Sequence, residues 1–322
     1  MNWRRYVDGL VNVHGGWTGL ADELLVRGRA LDGFPDDLGT IEKGLRRLAQ
    51  RGNKPGGKYG TWLLRFFGVD QELHRWVASL VQYHSRFTDL PTELRLAQLN
   101  LWEKPPLTES NLQPWFDIGI ASVLHRRGHY EEARSRLLRG HAQAKKAGEA
   151  AMLEATLFLA RIRTDERKRG EGYALLEQAA DVLASAELRD DDWHCYFARL
   201  QGQRAYHVTH PHRGNPQDIG QALTLFEAID PSTGIPFVDY RRTAGLAYCR
   251  WRQGQTSEAI ELARSAAEAA ADGGHVRLRV MALNMLSRML PAEEGEKIRQ
   301  RANRVAKSLE DEDLVHRTRN RS

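Results

Sequence analysis

Cysteine is scarce in this sequence. The 322 residues hold only Cys195 and Cys249, both inside helical patterns, which excludes a disulfide-stapled scaffold. Long apolar runs are also missing: no stretch approaches the roughly 18 apolar residues of a membrane span. The first residues, MNWRRYVDG, lack the apolar core of a secretory signal, so the cytoplasm is the expected location and no membrane partner is expected. Among catalytic signatures, G-x-S-x-G, HExxH and the phosphate-cradling GxxxxGK[ST] are absent. An enzyme is therefore not expected, and neither is a cofactor. Charge of one sign is not in large excess, with 47 Lys and Arg against 42 Asp and Glu, a formal net charge of +5. What matters is where that excess lies.

What the chain does have is an internal repeat. Gly128, Gly170 and Gly254 are spaced 42 and 84 residues apart, and each sits between two helical apolar patterns. Around Gly128 the chain reads IASVLHRRGHYEEARSRLLRG; around Gly254 it reads LAYCRWRQGQTSEAIELARSA. In both, a small residue stands seven before the glycine (Ala121, Ala247), an alanine five after (Ala133, Ala259) and a small residue twelve after (Gly140, Ala266). Small side chains at those steps let two helix axes cross closely, and the glycine accepts the positive φ that reverses the chain. The unit at Gly170 is degenerate, with Leu175 in the alanine slot. The slot due at 212 holds His212, read as an insertion, YHVTHPHRGNPQDIG, before QALTLFEAI resumes the second helix. A fifth unit, residues 278–309, has helical spacing but no turn glycine, as a capping pair would.

This pattern resembles the tetratricopeptide repeat in its longer-helix form, over roughly residues 112 to 306. The resemblance implies an all-α solenoid whose first helices line a groove. Carried over by position, the groove residues would be Trp115, Ile118, Ser122, His125 and Arg126 in the first unit, and Leu157, Ala160, Thr164, Arg167 and Lys168 in the second. Arg199, Gly202, Tyr206, Thr209 and His210 follow in the third, and Arg241, Ala244, Tyr248, Trp251 and Arg252 in the Gly254 unit. These positions hold cations and aromatics but no carboxylate, so the implied ligand is an acidic or C-terminal segment of a peptide or protein. The alternative is that the longer helices turn some of these side chains toward neighbouring units, where they simply pack.

A second feature lies in the N-terminal third. From Lys43 to Arg65 the chain carries Lys43, Arg46, Arg47, Arg51, Lys54, Lys58 and Arg65 with no acidic residue between them, a run of one sign that suits an anionic partner. TGLADELLVRGRAL, capped at Thr18, and DLGTIEKGLRRLAQRG, capped at Asp36 or Asp37, read as two helices joined by the break GFPDDL. The pair resembles a helix-turn-helix, its second helix similar to the recognition helix of GntR-type winged-helix regulators. That resemblance implies that Thr40, Lys43, Arg46, Arg47, Gln50 and Arg51, with Lys54 and Lys58 on the following loop, meet DNA or RNA. TWLLRFFG departs from it, reading as a helix where a wing hairpin would stand. The competing reading has these cations satisfied by Asp22, Glu23, Asp36 and Asp37, and exposure of Arg46, Arg47, Lys54 and Lys58 on one face decides between the two.

The expected organisation is a basic helix-turn-helix-like domain over residues 1–69, a helical connector over 70–110, a repeat solenoid over 111–309 and a frayed charged tail over 310–322. The acidic run Asp190 to Asp192 is expected to cap a helix. His207, His210 and His212 with Cys195 form the metal alternative, but no CxxC or second ligand pair accompanies them, and no metal is expected. Two functions remain in view: a regulator that holds a peptide or protein in the repeats and nucleic acid on the basic head, and a scaffold or adaptor of a larger protein or ribonucleoprotein assembly without direct DNA binding. A homo-oligomer is compatible with either.

Overall fold

The computed structural model describes residues 2–52, 56–210 and 217–319, and among them all regular structure is helical. None of these helices is long and apolar enough to cross a membrane. The chain divides into two compact units, one of residues 1–78 with 100–113, the other of residues 79–99 with 114–322.

The first unit is built on α1 (Trp3–Val13), α2 (Trp17–Gly28), α3 (Leu38–Ala49) and α4 (Gly57–Phe67), with most of α5 (Gln71–Ser79). Its core is made by Val7, Leu20, Leu24, Ile41, Leu45 and Leu63, all fully buried, so the helical spacing read in α2 and α3 is the packed face. Asp37 caps α3, accepting from Thr40 N at 2.7 Å. Thr18 does not cap α2, which starts at Trp17 after Gly16; its hydroxyl donates to Glu42 across the α2–α3 contact at 3.3 Å. Trp3 lies on Gly60, where a Cβ would come within 2.8 Å of the indole.

The second unit begins with Ser79, the last residue of α5; residues 80–91 are not α-helical and contain one 3₁₀ turn, Arg86–Asp89, followed by the start of α6 (Thr92–Trp102). Helix pairs then succeed one another: α7 (Gln113–Arg126) with α8 (Tyr130–Gln143), α9 (Glu149–Asp165) with α10 (Arg169–Ser185), α11 (Asp190–Thr209) with α12 (Ile219–Glu227), α13 (Pro236–Arg252) with α14 (Thr256–Asp272), and α15 (Val276–Met289) with α16 (Ala292–Ser308). Successive helices pack on one another from α8 to α16, the order expected of a repeat array. Ala121, Ala133, Ala247, Ala259 and Ala266 are fully buried, and a Cβ on Gly140 would meet Ile118 Cγ1 at 3.1 Å. The small residues therefore mark the close helix crossings.

Gly128 (φ 79°) and Gly254 (φ 81°) reverse the chain as expected, with His129 N donating to Leu124 O and Gln255 N to Arg250 O. Gly170 does not: it lies inside α10, and the left-handed residue of that turn is Arg167 (φ 63°), where Lys168 N donates to Arg163 O. The second turn thus comes three residues before the 42-residue count. Asp190, Asp191 and Asp192 stand in the first turn of α11 rather than at its cap, which is Arg189.

Residues 312–319, expected to fray, form α17 (Glu312–Arg319). Asp311 caps it by accepting from Leu314 N at 3.0 Å, and Leu314, Val315 and Thr318 are buried against α15 and α16. The LVxxT spacing holds the helix down despite its flanking charges.

Candidate functional site

The first helices of the pairs converge on one cavity of about 130 Å³ within the second unit. α7 brings Ile118, Ser122, His125 and Arg126; α9 brings Glu154, Phe158, Arg161 and Asp165; α11 brings Arg199, Gly202 and Gln203. Arg241 comes from α13, Arg277 and Met281 from α15, and Asp313 and Arg317 from α17. The remaining wall is Val81, Tyr83 and Thr88 of segment 80–91, which has no α-helix and crosses the array as a strap.

The strap is tied to nearly every pair. Thr88 O accepts from Arg126 on α7, and Tyr83 N donates to Glu154 on α9 at 3.2 Å. His84 Nε2 lies 3.1 Å from Asp192 on α11, and the Tyr83 ring packs edge-on to Phe237 of α13. Asp89 accepts from the Arg277 backbone N–H of α15 at 3.0 Å, and Thr92, where α6 begins, donates its N–H to Leu309 O.

Tyr83 is the centre of the arrangement. The guanidinium carbon of Arg199 is 4.8 Å and that of Arg241 5.0 Å from its ring centroid, and Arg277 Nη1 donates to its hydroxyl at 3.2 Å. Burial alone would push its phenol up; Arg241, Arg277, Arg126 and Arg199 override that and bring it down to about 8. Most of the arginines have a carboxylate: Arg199 pairs with Glu154 at 2.6 Å, Arg161 with Asp165 at 2.9 Å, Arg277 with Asp311 at 2.8 Å and Arg317 with Asp313 at 2.9 Å. Arg126 is 3.9 Å from the same Asp311, and among the described residues Arg241 has no carboxylate at all, its buried Nε lacking any hydrogen-bond acceptor. Burial lowers the pKa of His125, whose ring rests on Phe158 and Tyr130.

A second basic surface lies in the first unit. Thr40, Lys43 and Arg47 of α3 and Arg51 just beyond it face Lys58 and Tyr59 of α4 around a recess of about 500 Å³. All of these except Tyr59 are exposed, and Lys43, Arg47 and Lys58 have no carboxylate within ion-pair distance among the described residues. The recess is shaped by Gly44, on which the Tyr59 ring lies so closely that a Cβ would come within 2.0 Å of it, while Tyr59 Oη donates to Thr40 O at 3.1 Å. Arg46 is not part of this face: it pairs with Glu42 at 2.7 Å and its guanidinium lies 4.5 Å over Trp17. Gln50 is exposed at the α3 C-cap, and Lys54 lies outside the described residues.

No family model matches the chain, and no curated protein does. Among solved structures it is similar to a signal transduction ATPase with numerous domains (STAND) protein with a tetratricopeptide repeat sensor from Pyrococcus horikoshii, at 13% identity and a TM-score of 0.42, over 92% of this chain and 52% of that one. The chain spans about half the length of that protein.

Of the residues expected to line a groove, Ile118, Ser122, His125, Arg126, Arg199, Gly202 and Arg241 reach the cavity together. Trp115 is buried in the core at 1% exposure, and Arg167 and Lys168 stand exposed in the α9–α10 turn. Tyr206 donates to Asp165 at 2.7 Å beneath Arg161, beside the cavity wall. Tyr248 and Trp251 are half-buried on α13 and Arg252 is exposed near its end. Counting the second unit back from Arg167 instead of Gly170 places Glu154, Arg161 and Asp165 at groove positions, and these three do line the cavity. The strap, α15 and α17 contributions had no signal in the repeat pattern. Cys195 and His207 are buried on α11, and His212 lies outside the described residues.

Proposed function

We propose that the chain is a non-enzymatic binding protein that receives an anionic segment of a peptide or protein, acidic or C-terminal, in the cavity of its helix-pair array and nucleic acid on the α3 face, and so acts as a regulator. The observation that carries this reading is the convergence of guanidinium groups from α7, α11, α13 and α15 on one cavity, with Arg241 lacking a carboxylate among the described residues. Arginine forks match carboxylate geometry, and in a recessed site each contact is strengthened by the low local dielectric. The exposed Lys43, Arg47 and Lys58, unpaired among the described residues, support the second half, since solvated faces ordinarily alternate sign.

The test of the first half is fluorescence anisotropy with an acidic peptide bearing a free carboxyl terminus, against its amidated, neutral counterpart. Saturable binding of the first, weakened in Arg241→Gln, is expected; equal binding of both peptides would refute it. For the second half, four to five phosphate contacts predict a log–log salt slope of about −3.5 to −4.5 on duplex DNA. A flat salt dependence would leave the adaptor reading, in which the array works without nucleic acid.

A further inference from the structure

We propose that the anionic group which the array cavity is built to hold is a phosphoryl dianion. This rests on the reading of the cavity as an anion site and names the chemistry of its ligand. Each of Arg161, Arg199, Arg277 and Arg317 is neutralised by a carboxylate within 2.9 Å, which leaves Arg241 and Arg126, the latter 3.9 Å from the Asp311 that Arg277 already takes. Behind Ser122 lies a third cation, the fully buried Arg95, which donates to Leu80 O at 2.7 Å and Ser122 Oγ at 3.1 Å while its Nη2 has no hydrogen-bond partner among the described residues. Against these three guanidinium groups stands one further carboxylate, Asp89, whose Oδ2 already accepts the Arg277 N–H. Two positive charges remain uncompensated. A single carboxylate neutralises one of them; a phosphoryl group neutralises both and offers three acceptor oxygens to forked donors.

The pH dependence follows from the groups that face the site. A phosphate monoester gains its second charge at about pH 6, so affinity rises through that range. Tyr83, facing Arg126 on α7, Glu154 on α9, Arg199 on α11, Arg241 on α13 and Arg277 on α15, ionises near 8 and then competes as an internal anion. Binding is therefore strongest between about pH 6 and pH 8. Burial lowers the pKa of His125, which favours its neutral form.

The experiment is calorimetric titration of the full chain with inorganic phosphate, with acetate, and with a phosphoserine peptide beside its unphosphorylated form. The expected result is phosphate binding at least about tenfold tighter than acetate, an affinity maximum between the two titrations, and at least a tenfold loss in Arg241→Gln with helical content retained. Arg241→Lys, which keeps the charge, guards against a folding defect by recovering part of the affinity. Tyr83→Phe should remove the fall above pH 8 and leave the rise near pH 6. A phosphopeptide more than tenfold tighter than inorganic phosphate identifies a partner's phosphorylated side chain as the source; equal affinities identify a small phosphorylated molecule. Acetate binding as tightly as phosphate, no phosphate binding, or an Arg241→Gln variant that binds phosphate like the wild type overturns the proposal. Binding of an unphosphorylated acidic peptide lost in Arg241→Gln would in that case leave the broader anion-site reading standing.

Discussion

The Arg241 guanidinium lies 5.0 Å from the centroid of the Tyr83 ring, a contact between α13 and the strap more than 150 residues away in sequence. It is one of four arginines that make the site of a phenol hospitable to negative charge. The Tyr83 pKa is brought from 10 to about 8, so between these values the unfolded chain binds the proton that the folded chain has released. Stability must then rise from pH 8 to pH 10, by at most about 2 kcal/mol, and the gain is lost as pH falls through 8. Chemical denaturation across this range, with Tyr83→Phe as the reference, measures it; identical pH profiles for the two proteins would contradict the assignment.

On the α3 face, Arg47→Glu combined with Lys43→Glu should abolish retention of nucleic acid without loss of helicity, because both side chains are exposed. Arg46→Ala should have little effect there, since Arg46 is committed to Glu42 and Trp17. Electrophoretic mobility shifts at fixed salt distinguish the two. Equal losses in both variants would mean that the recess is not the contact.

Ala259 sits fully buried in the α13–α14 seam together with Ala263, Ala266 and Ala270. Ala259→Leu should cost about 1–3 kcal/mol by overpacking, read as a lowered denaturation midpoint. Unchanged stability would contradict the close crossing.

Arg167 holds φ 63° where Gly128 and Gly254 stand in the neighbouring turns. Arg167→Gly should relieve the left-handed strain, and after the larger entropy of an unfolded glycine is set against it, stability should rise by up to about 1 kcal/mol. A destabilised variant would show that the arginine side chain contributes more than its backbone costs.

Asp117 is fully buried and takes Arg136 at 3.0 Å and Arg139 at 2.6 Å from α8. Asp117→Ala should cost about 2–4 kcal/mol, toward the lower part of the range because both arginines can turn to solvent. Thermal unfolding reports it, and a loss below about 0.5 kcal/mol would place the pair among ordinary surface bridges.

Much of the architecture was legible because helix pairing is written in local terms: the small residues at Ala133, Gly140, Ala259 and Ala266 and the turns at Gly128 and Gly254 fall where the spacing put them. The turn at Arg167 was not, because a left-handed arginine leaves no compositional mark and the nearby Gly170 offered a false one. The cavity was half legible. Arg126, Arg199 and Arg241 follow from repeat geometry, but Tyr83 and Thr88 come from a strap whose position is fixed only by contacts distant in sequence, such as Tyr83 with Glu154 and Asp89 with Arg277. Asp313 and Arg317 were hidden by the charge of the C-terminal segment, which masks the short buried pattern of Leu314, Val315 and Thr318.

The most direct test of the anion-holding cavity is the Arg241 Nε–H resonance, assigned by its loss in Arg241→Lys, followed by nuclear magnetic resonance while an acidic peptide with a free carboxyl terminus is added. A saturable shift at Arg241, with the exposed Arg252 unmoved, is the result this structure predicts. Saturable binding that leaves the Arg241 signal in place would contradict it.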